Sequence, residues 1–365
     1  MIEVHTPCRL HFGLLAYSRD DARQFGGVGL MIREPRIVVR VEPADRFTAT
    51  GPMADRALSF AHTFAGNWAA LRSGLGKPSR NRSSQRAATQ HEEDANADAA
   101  READGASLRS REPLAIPGAA IEIVQAPRSH TGLGTGTQLA MAVAHALAKL
   151  YTESGQDLGV NELAALVGRG ARSAIGAHGF FHGGLIIEGG KRHHDDLSPM
   201  LVQQSFPPAW RLVLICPDRL VGIHGKLEKQ AFAKMPPSPQ EVTGQMCRLV
   251  LMGILPAIIE RDLAGFSRAL YELQQRVGKC FASAQGGIFA DPLLERIVTF
   301  IRAQGIEGVG QSSWGPTLYA VTENEATAQS LADHLRSRFD LNEREVFVTA
   351  ADNQGCEVSS RSDIS

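Results

Sequence analysis

Two glycine-rich turns, far apart in the chain and each joined to regular structure, constrain this sequence most. The first, Pro127 to Gln138, reads P-R-S-H-T-G-L-G-T-G-T-Q and opens an alanine-rich segment. The second, Gly308 to Thr317, reads G-V-G-Q-S-S-W-G-P-T and runs into an apolar alternation. Backbone N–H groups in such turns, aimed with a helix N-terminus, form a cradle for phosphate. The pair predicts one phosphorylated ligand, held by a site assembled from both halves of the chain.

A length of 365 residues leaves room for two domains with their own cores. A net charge of −1 gives no reason to expect nucleic acid or an anionic membrane as partner. Met1 to His5 lacks a basic region followed by an apolar run, so it reads as a first strand and not a leader. The longest apolar run, Leu249 to Ile259, contains Pro256 and falls short of the ~20 residues that span a bilayer. Five scattered cysteines without C-x-x-C or zinc-like spacing fit a reducing cytoplasm. Cys8 reads as a small buried hydrophobe.

From about Ser73 to Pro113 the chain is rich in Ser, Arg, Ala, Asp and Glu, first basic and then acidic. It holds too little apolar surface to offset its ordering entropy, and is read as a disordered insertion in the first domain. Around it, strands are expected at Arg36–Val41, Phe47–Thr50, Ile121–Val124 and Gly184–Glu188. Helices are expected at Arg56–Leu71, at Thr137–Leu150, and from an N-cap at Asn161. The helix after the first glycine turn is apolar nearly all round, the mark of a core helix whose dipole points at the turn.

The second half reads as a strand at Trp210–Cys216, then helices at Gln240–Ile259, Asp262–Val277 and Asp291–Ala303. A strand near Gly305–Val309, a strand at Thr317–Val321, a helix at Asn324–Arg338 and a strand at Glu345–Thr349 follow. With adjacent helices merged this is β-α-β-β-α-β, the ferredoxin-like order. The expected fold is α+β with a phosphate-loop domain over residues 1–205, a ferredoxin-like domain over 206–351 and a tail over 352–365.

At its motifs the chain resembles the GHMP superfamily of small-molecule kinases, and within it the β-ribofuranosylaminobenzene 5′-phosphate synthase branch. The resemblance is carried by Pro7 to Leu14 (P-C-R-L-H-F-G-L), Phe25 to Gly29 and Gly132 to Gln138. His224-Gly225 with Glu228, Gln285 to Gly287 and Gly310 to Thr317 complete it. GHMP kinases carry G-L-G-S-S-A, whose hydroxyls help hold magnesium and phosphate; here Gly136 replaces one hydroxyl and Gln138 the small residue. Their S-G-x-D turn has its nearest counterpart in Ser173-Ala174-Ile175-Gly176, with glycine in the place of aspartate. The phosphate cradle is kept and the kinase acid/base group is missing, which weighs against the alternative, ATP-dependent phosphorylation of a small alcohol.

The resemblance implies a pentosyltransferase that joins 5-phosphoribosyl 1-diphosphate to 4-aminobenzoate, or a close analogue such as 4-hydroxybenzoate. It releases diphosphate and CO2, in tetrahydromethanopterin synthesis. It implies magnesium as cofactor, with no metal ligands identifiable, no ATP, and a homodimer. Arg9 and His11, two apart on a strand and so on one face, are candidates for holding the ring and its carboxylate, with His224 and Glu228 as further catalytic candidates. Arg128, His130, Gly132, Gly134, Thr135, Gly136, Thr137 and Gln138 are expected around the phosphates from the first turn. Gly310, Gln311, Ser312, Ser313 and Trp314 are expected there from the second, Trp314 against ring or ribose. His178 and His182 read as structural, and Lys191 to Asp196 as a solvated loop.

Overall fold

The computed structural model describes residues 1–17, 23–72, 116–151, 158–193, 196–222, 225, 230–232 and 235–360. The insertion read over Ser73–Pro113 lies outside the described residues, as do His224 and Glu228.

The first domain is built on a long antiparallel ribbon, β1 (Ile2–Ala16) and β2 (Phe25–Pro43). Strands β3 (Thr48–Thr50) and β4 (Ala119–Gln125) extend it on one side, β4 pairing with β2. At the far end of β2, β5 (Leu185–Glu188) and β6 (Met200–Gln204) pair on. The helices are α1 (Ala54–Arg72), α2 (Thr135–Tyr151), α3 (Val160–Leu166) and α4 (Ile175–His182). As its composition predicts, α2 is the core helix: Leu139, Met141, Val143, Ala146 and Leu147 are fully buried. The N-cap of α3 is Gly159, not Asn161; its N–H donates to the Glu162 carboxylate at 3.0 Å.

Two local devices in the ribbon position the site. The register slips between His11 and Gly13, so Phe12 is an extra residue on β1. Such bulges re-aim side chains beside active sites. Across the ribbon, a Cβ at Gly29 would strike the Leu10 carbonyl and Ile175. The glycine-rich stretch of β2 therefore lets α4 settle onto the sheet.

The second domain runs β7 (Arg211–Ile215), α5 (Gln240–Leu249), a π-helical turn (Val250–Ile254), α6 (Leu255–Glu260) and α7 (Leu263–Gln285). It continues α8 (Pro292–Ala303), β8 (Val309–Gln311), β9 (Leu318–Thr322), α9 (Glu325–Phe339) and β10 (Val346–Thr349). Its antiparallel sheet has the order β10-β7-β9-β8, the ferredoxin-like arrangement. Asp262, Asp291 and Asn324 cap α7, α8 and α9 through side-chain oxygens that accept backbone N–H groups at 2.7–2.9 Å.

Two expectations change here. The apolar run at Leu249–Ile259 belongs to a continuous 21-residue helical stretch, Gln240–Glu260, long and apolar enough by length and composition to cross a membrane. Its Val250, Ile254, Ala257 and Ile258 are buried in the core with Phe266 and Leu270, and its other face exposes Leu251, Met252 and Ile259. The π turn falls just before Pro256, which has no N–H to offer the preceding turn. The supposed tail is also part of the first domain. Strand β11 (Glu357–Ser360) pairs antiparallel with β1, and Asn353 exchanges hydrogen bonds with the Phe206 backbone at 2.8 and 3.0 Å. An edge strand needs covering, and this short polar segment does it without the apolar alternation by which a strand is recognised.

Candidate active site

The two glycine turns meet. Ser312 Oγ donates to the Gly132 carbonyl at 2.7 Å and accepts the His11 N–H at 3.0 Å. Ser313 N–H donates to the His11 carbonyl at 3.1 Å, and Arg9 N–H to the Leu133 carbonyl at 3.0 Å. Strand β1 is thus laced to both turns. Gly132 has φ +91°, and a Cβ there would strike the Ser312 carbonyl and the Gly315 backbone. The turns touch backbone to backbone, which only glycine permits at this point.

The cleft around this junction has two compartments with a common wall of Thr137, Arg169, Ser313 and Trp314. One lies over the N-terminus of α2, between Gly132–Thr137, His130, Arg56 and Arg169. The other is lined by Arg9, His11, Arg172, Ser173, Gln274, Gln311 and the rings of Phe12, Phe232, Phe281 and Trp314. Trp314 stacks on Phe232 (centroids 4.7 Å apart, 21°) and meets Phe281 edge-on at 5.2 Å. The Arg172 guanidinium sits 4.5 Å above the other ring of that stack, Phe232.

Four arginines line the cleft, and no described lining residue is an aspartate or glutamate. The arrangement attracts anions and discriminates against cations. A magnesium held by the described lining residues alone does not fit it. Magnesium usually takes one or two carboxylates, the described lining offers only hydroxyls, carbonyls and the His11 and His130 imidazoles, and no group of three metal-ligating side chains occurs among the described residues.

Family models for the GHMP kinases N terminal domain and GHMP kinases C terminal match residues 97–184 and 254–341. A β-ribofuranosylphenol 5′-phosphate synthase from Archaeoglobus fulgidus is 30% identical over 372 residues, covering 98% of this chain and 99% of that one. The chain belongs to the β-ribofuranosylphenol 5′-phosphate synthase family. Another synthase of that name, from Methanothermobacter thermautotrophicus, is 28% identical, covering 88% and 89% of the two chains. A solved homoserine kinase from Cytophaga hutchinsonii superposes with TM-score 0.59 over 98% of this chain and 97% of its own. At 15% identity that likeness shows the fold alone. The GHMP-like fold and the synthase reading stand over the kinase.

Within this synthase-family chain, the predicted site residues divide. Arg9, His11, Gln311, Ser313 and Trp314 line the aromatic compartment, and His130, Gly132, Gly134, Thr135, Gly136 and Thr137 the other. Gln138 is not a phosphate ligand. It is fully buried, accepts from Thr6 Oγ1 at 2.7 Å and donates to the Gly176 carbonyl at 2.8 Å, tying α2 to β1 and α4. Arg128 is not among the residues lining either compartment. It pairs with Asp218 at 2.7 Å and donates to the Pro217, Asp218 and Leu220 carbonyls, so both of its terminal nitrogens are engaged by the second domain. Gly310 and Ser312 are buried braces, Gly310 giving room to Tyr319 and Gln274.

A Cβ at Gly176 would lie 3.2 Å from the Thr137 methyl and 3.3 Å from Gln138 Nε2, so any larger residue there presses on side chains of the first turn of α2. Lys191 departs from the solvated-loop reading: it is buried, with Nζ donating to the Gly170 carbonyl at 3.3 Å. His178 is buried, its Nε2 2.8 Å from the Ser198 carbonyl, in keeping with the structural reading. Sequence reasoning missed Arg56, Arg169, Arg172 and Phe232. The signal for two of them was present in G-R-G-A-R-S, Gly168 to Ser173, directly before α4.

Burial, reinforced by Arg9 and Arg172, holds His11 well below the usual histidine range, while its Nε2 lies 3.2 Å from Ser173 Oγ. His11 is therefore neutral at neutral pH. Unfolded, it takes up a proton as pH falls through about 6.5; folded, it does not until much lower. This contribution to stability is complete above pH 6.5 and is lost as pH falls below it, by up to about 1.4 kcal/mol per unit. In urea titrations at pH 7, 6 and 5, His11→Asn should lose less stability per unit than the wild type. Equal slopes would mean that His11 is charged in the fold.

Proposed function

We propose that this chain condenses 5-phosphoribosyl 1-diphosphate with a benzoate carrying an electron donor opposite its carboxylate, releasing diphosphate and CO2, in tetrahydromethanopterin synthesis. The observation that carries the reading is the divided cleft. A cationic cradle for phosphates shares a wall with an aromatic slot, so an anionic sugar and a flat acid would meet at Thr137 and Trp314.

The chemistry needs no side-chain nucleophile. The ring carbon bearing the carboxylate attacks the anomeric carbon as the C–O bond to diphosphate breaks, the bonding pair leaving with diphosphate. The ring then expels CO2, and the electrons of that C–C bond restore aromaticity. Positive charge at the sugar and negative charge on the leaving group develop together, so fixed donors facing the diphosphate lower the barrier. Neutral His11 and Arg9 face the ring compartment, where they orient the acid. Magnesium would enter as the counter-ion of the diphosphate substrate and not in a protein cage.

The resemblance in the motifs points to 4-aminobenzoate as acceptor; the phenol in the relatives' name favours 4-hydroxybenzoate. The purified protein should be given magnesium, phosphoribosyl diphosphate and each carboxyl-labelled acid in turn, without ATP. Equimolar CO2 and diphosphate are expected, and the better acid identifies the acceptor. ATP consumption with a small alcohol, and no CO2 from either acid, would overturn the reading in favour of a kinase.

A further inference from the structure

Arg56 and Arg169 stand out among the charged side chains of the cleft. They approach from different elements, α1 and the loop after α3, and converge on the first turn of α2. A Cβ at Gly136 would collide with the Arg56 guanidinium, so that charge lies directly over the helix N-terminus. Arg169 Nε is sealed from solvent without a hydrogen-bond partner. Its guanidinium lies 4.5 Å from the Phe60 ring, and Arg56 lies 6.0 Å from the same ring.

Neither guanidinium has an ion-pair partner among the described residues. Burial, and after it the charge of Arg56, pushes Arg169 down to about 10, an unusual value for a guanidinium. Burial lowers Arg56 as well. Two half-buried cations beside a positive helix end repel one another, and a fold keeps such an arrangement only where something neutralises it. The carboxylates that would ordinarily do so are absent from the described lining.

We infer that Arg56 and Arg169 form a clamp for the diphosphate leaving group, gripping it against the N-terminus of α2. The clamp rests on the proposed reaction. Guanidinium forks suit two-pronged contact with phosphate oxygens. The pair would supply the charge that the cleft does not recruit through a protein-bound metal. Thr135, Thr137 and the N–H groups of the Gly132–Gly136 turn complete the cradle. The departing negative charge then grows between two fixed cations, while the aromatic acid waits behind Trp314.

Inorganic diphosphate is the probe. Its affinity is measured by calorimetry, with thermal unfolding followed with and without it, in the wild type, Arg56→Met, Arg169→Met and the double variant. The double variant should bind diphosphate about 30-fold or more weakly and lose the thermal protection diphosphate gives the wild type. Without ligand it should melt no lower than the wild type, since two repelling charges are gone. Should the double variant not fold, Arg169→Lys keeps the charge without the fork, and a loss of about 5-fold or more supports the clamp. Diphosphate binding equal in all variants, or absent in the wild type, overturns it. Release of CO2 by the wild type with unchanged binding in the variants would remove the clamp and leave the function. Arginine-dependent diphosphate binding without CO2 release from either acid would do the reverse.

Discussion

Valine in place of Gly132 should abolish CO2 release and lower stability by about 4 kcal/mol or more, a size of loss confined to a few mechanisms. Two of those act together here. Left-handed backbone (φ +91°) is costly for a β-branched residue, and the new Cβ overlaps the Ser312 carbonyl and the Gly315 backbone. Nothing in that contact is a flexible side chain that can turn aside, so the two turns must part. Parting them also unties Arg9 and His11, whose backbones are bonded to the same turns. Gly66→Ala is the control. No atom lies within 4 Å of its added methyl, and alanine in mid-helix should add up to about 1 kcal/mol. A Gly132→Val protein with the wild-type urea midpoint would show that the turns do not depend on one another.

Alanine at Trp314 should cost about 3–5 kcal/mol of stability, the usual range for removing a large buried aromatic. It should also reduce kcat/KM for the aromatic acid by a factor on the order of 100, or about 2.7 kcal/mol in transition-state terms. The indole is 6% exposed, yet it forms part of the wall of both compartments and is held by Phe232 and Phe281. Phenylalanine keeps a ring in the stack and should recover roughly half of the lost stability. The decisive comparison is between substrates. The KM for the acid should rise far more than the affinity for diphosphate falls; equal effects on both would put Trp314 on the phosphate side.

Much of this was legible in sequence because it is written in local signals. The all-apolar α2, the Asp291-Pro292 start of α8 and the two glycine turns announce themselves through period, capping and φ requirements. What escaped depends on neighbours distant in sequence. Arg56 lies on a helix where a charge ordinarily marks the solvated face, and only Gly136 and Phe60 reveal that it points inward. Gln138 sits inside the glycine motif, yet it turns from the ligand because Thr6 and Gly176 satisfy its amide. Arg128 looked like a phosphate hand by charge and place, but Asp218 and three carbonyls of the second domain already hold it. A motif fixes the backbone path through a site more reliably than the direction of each side chain along it.

The pairing of β11 with β1 makes the second domain an insertion within the first. Residues 2–5 find one neighbour a few dozen residues away in β2 and the other past residue 356, with the whole ferredoxin-like unit in between. During translation the edge of β1 must therefore wait, uncovered, until the second domain has emerged. A fragment cut after residue 205 keeps α2 and its phosphate turn but leaves that edge open to pairing with another chain. Dissecting this enzyme at its apparent domain boundary would yield an aggregation-prone half and not a working module, whereas removing the second domain and rejoining β6 to β11 by a short linker respects how the polypeptide is threaded.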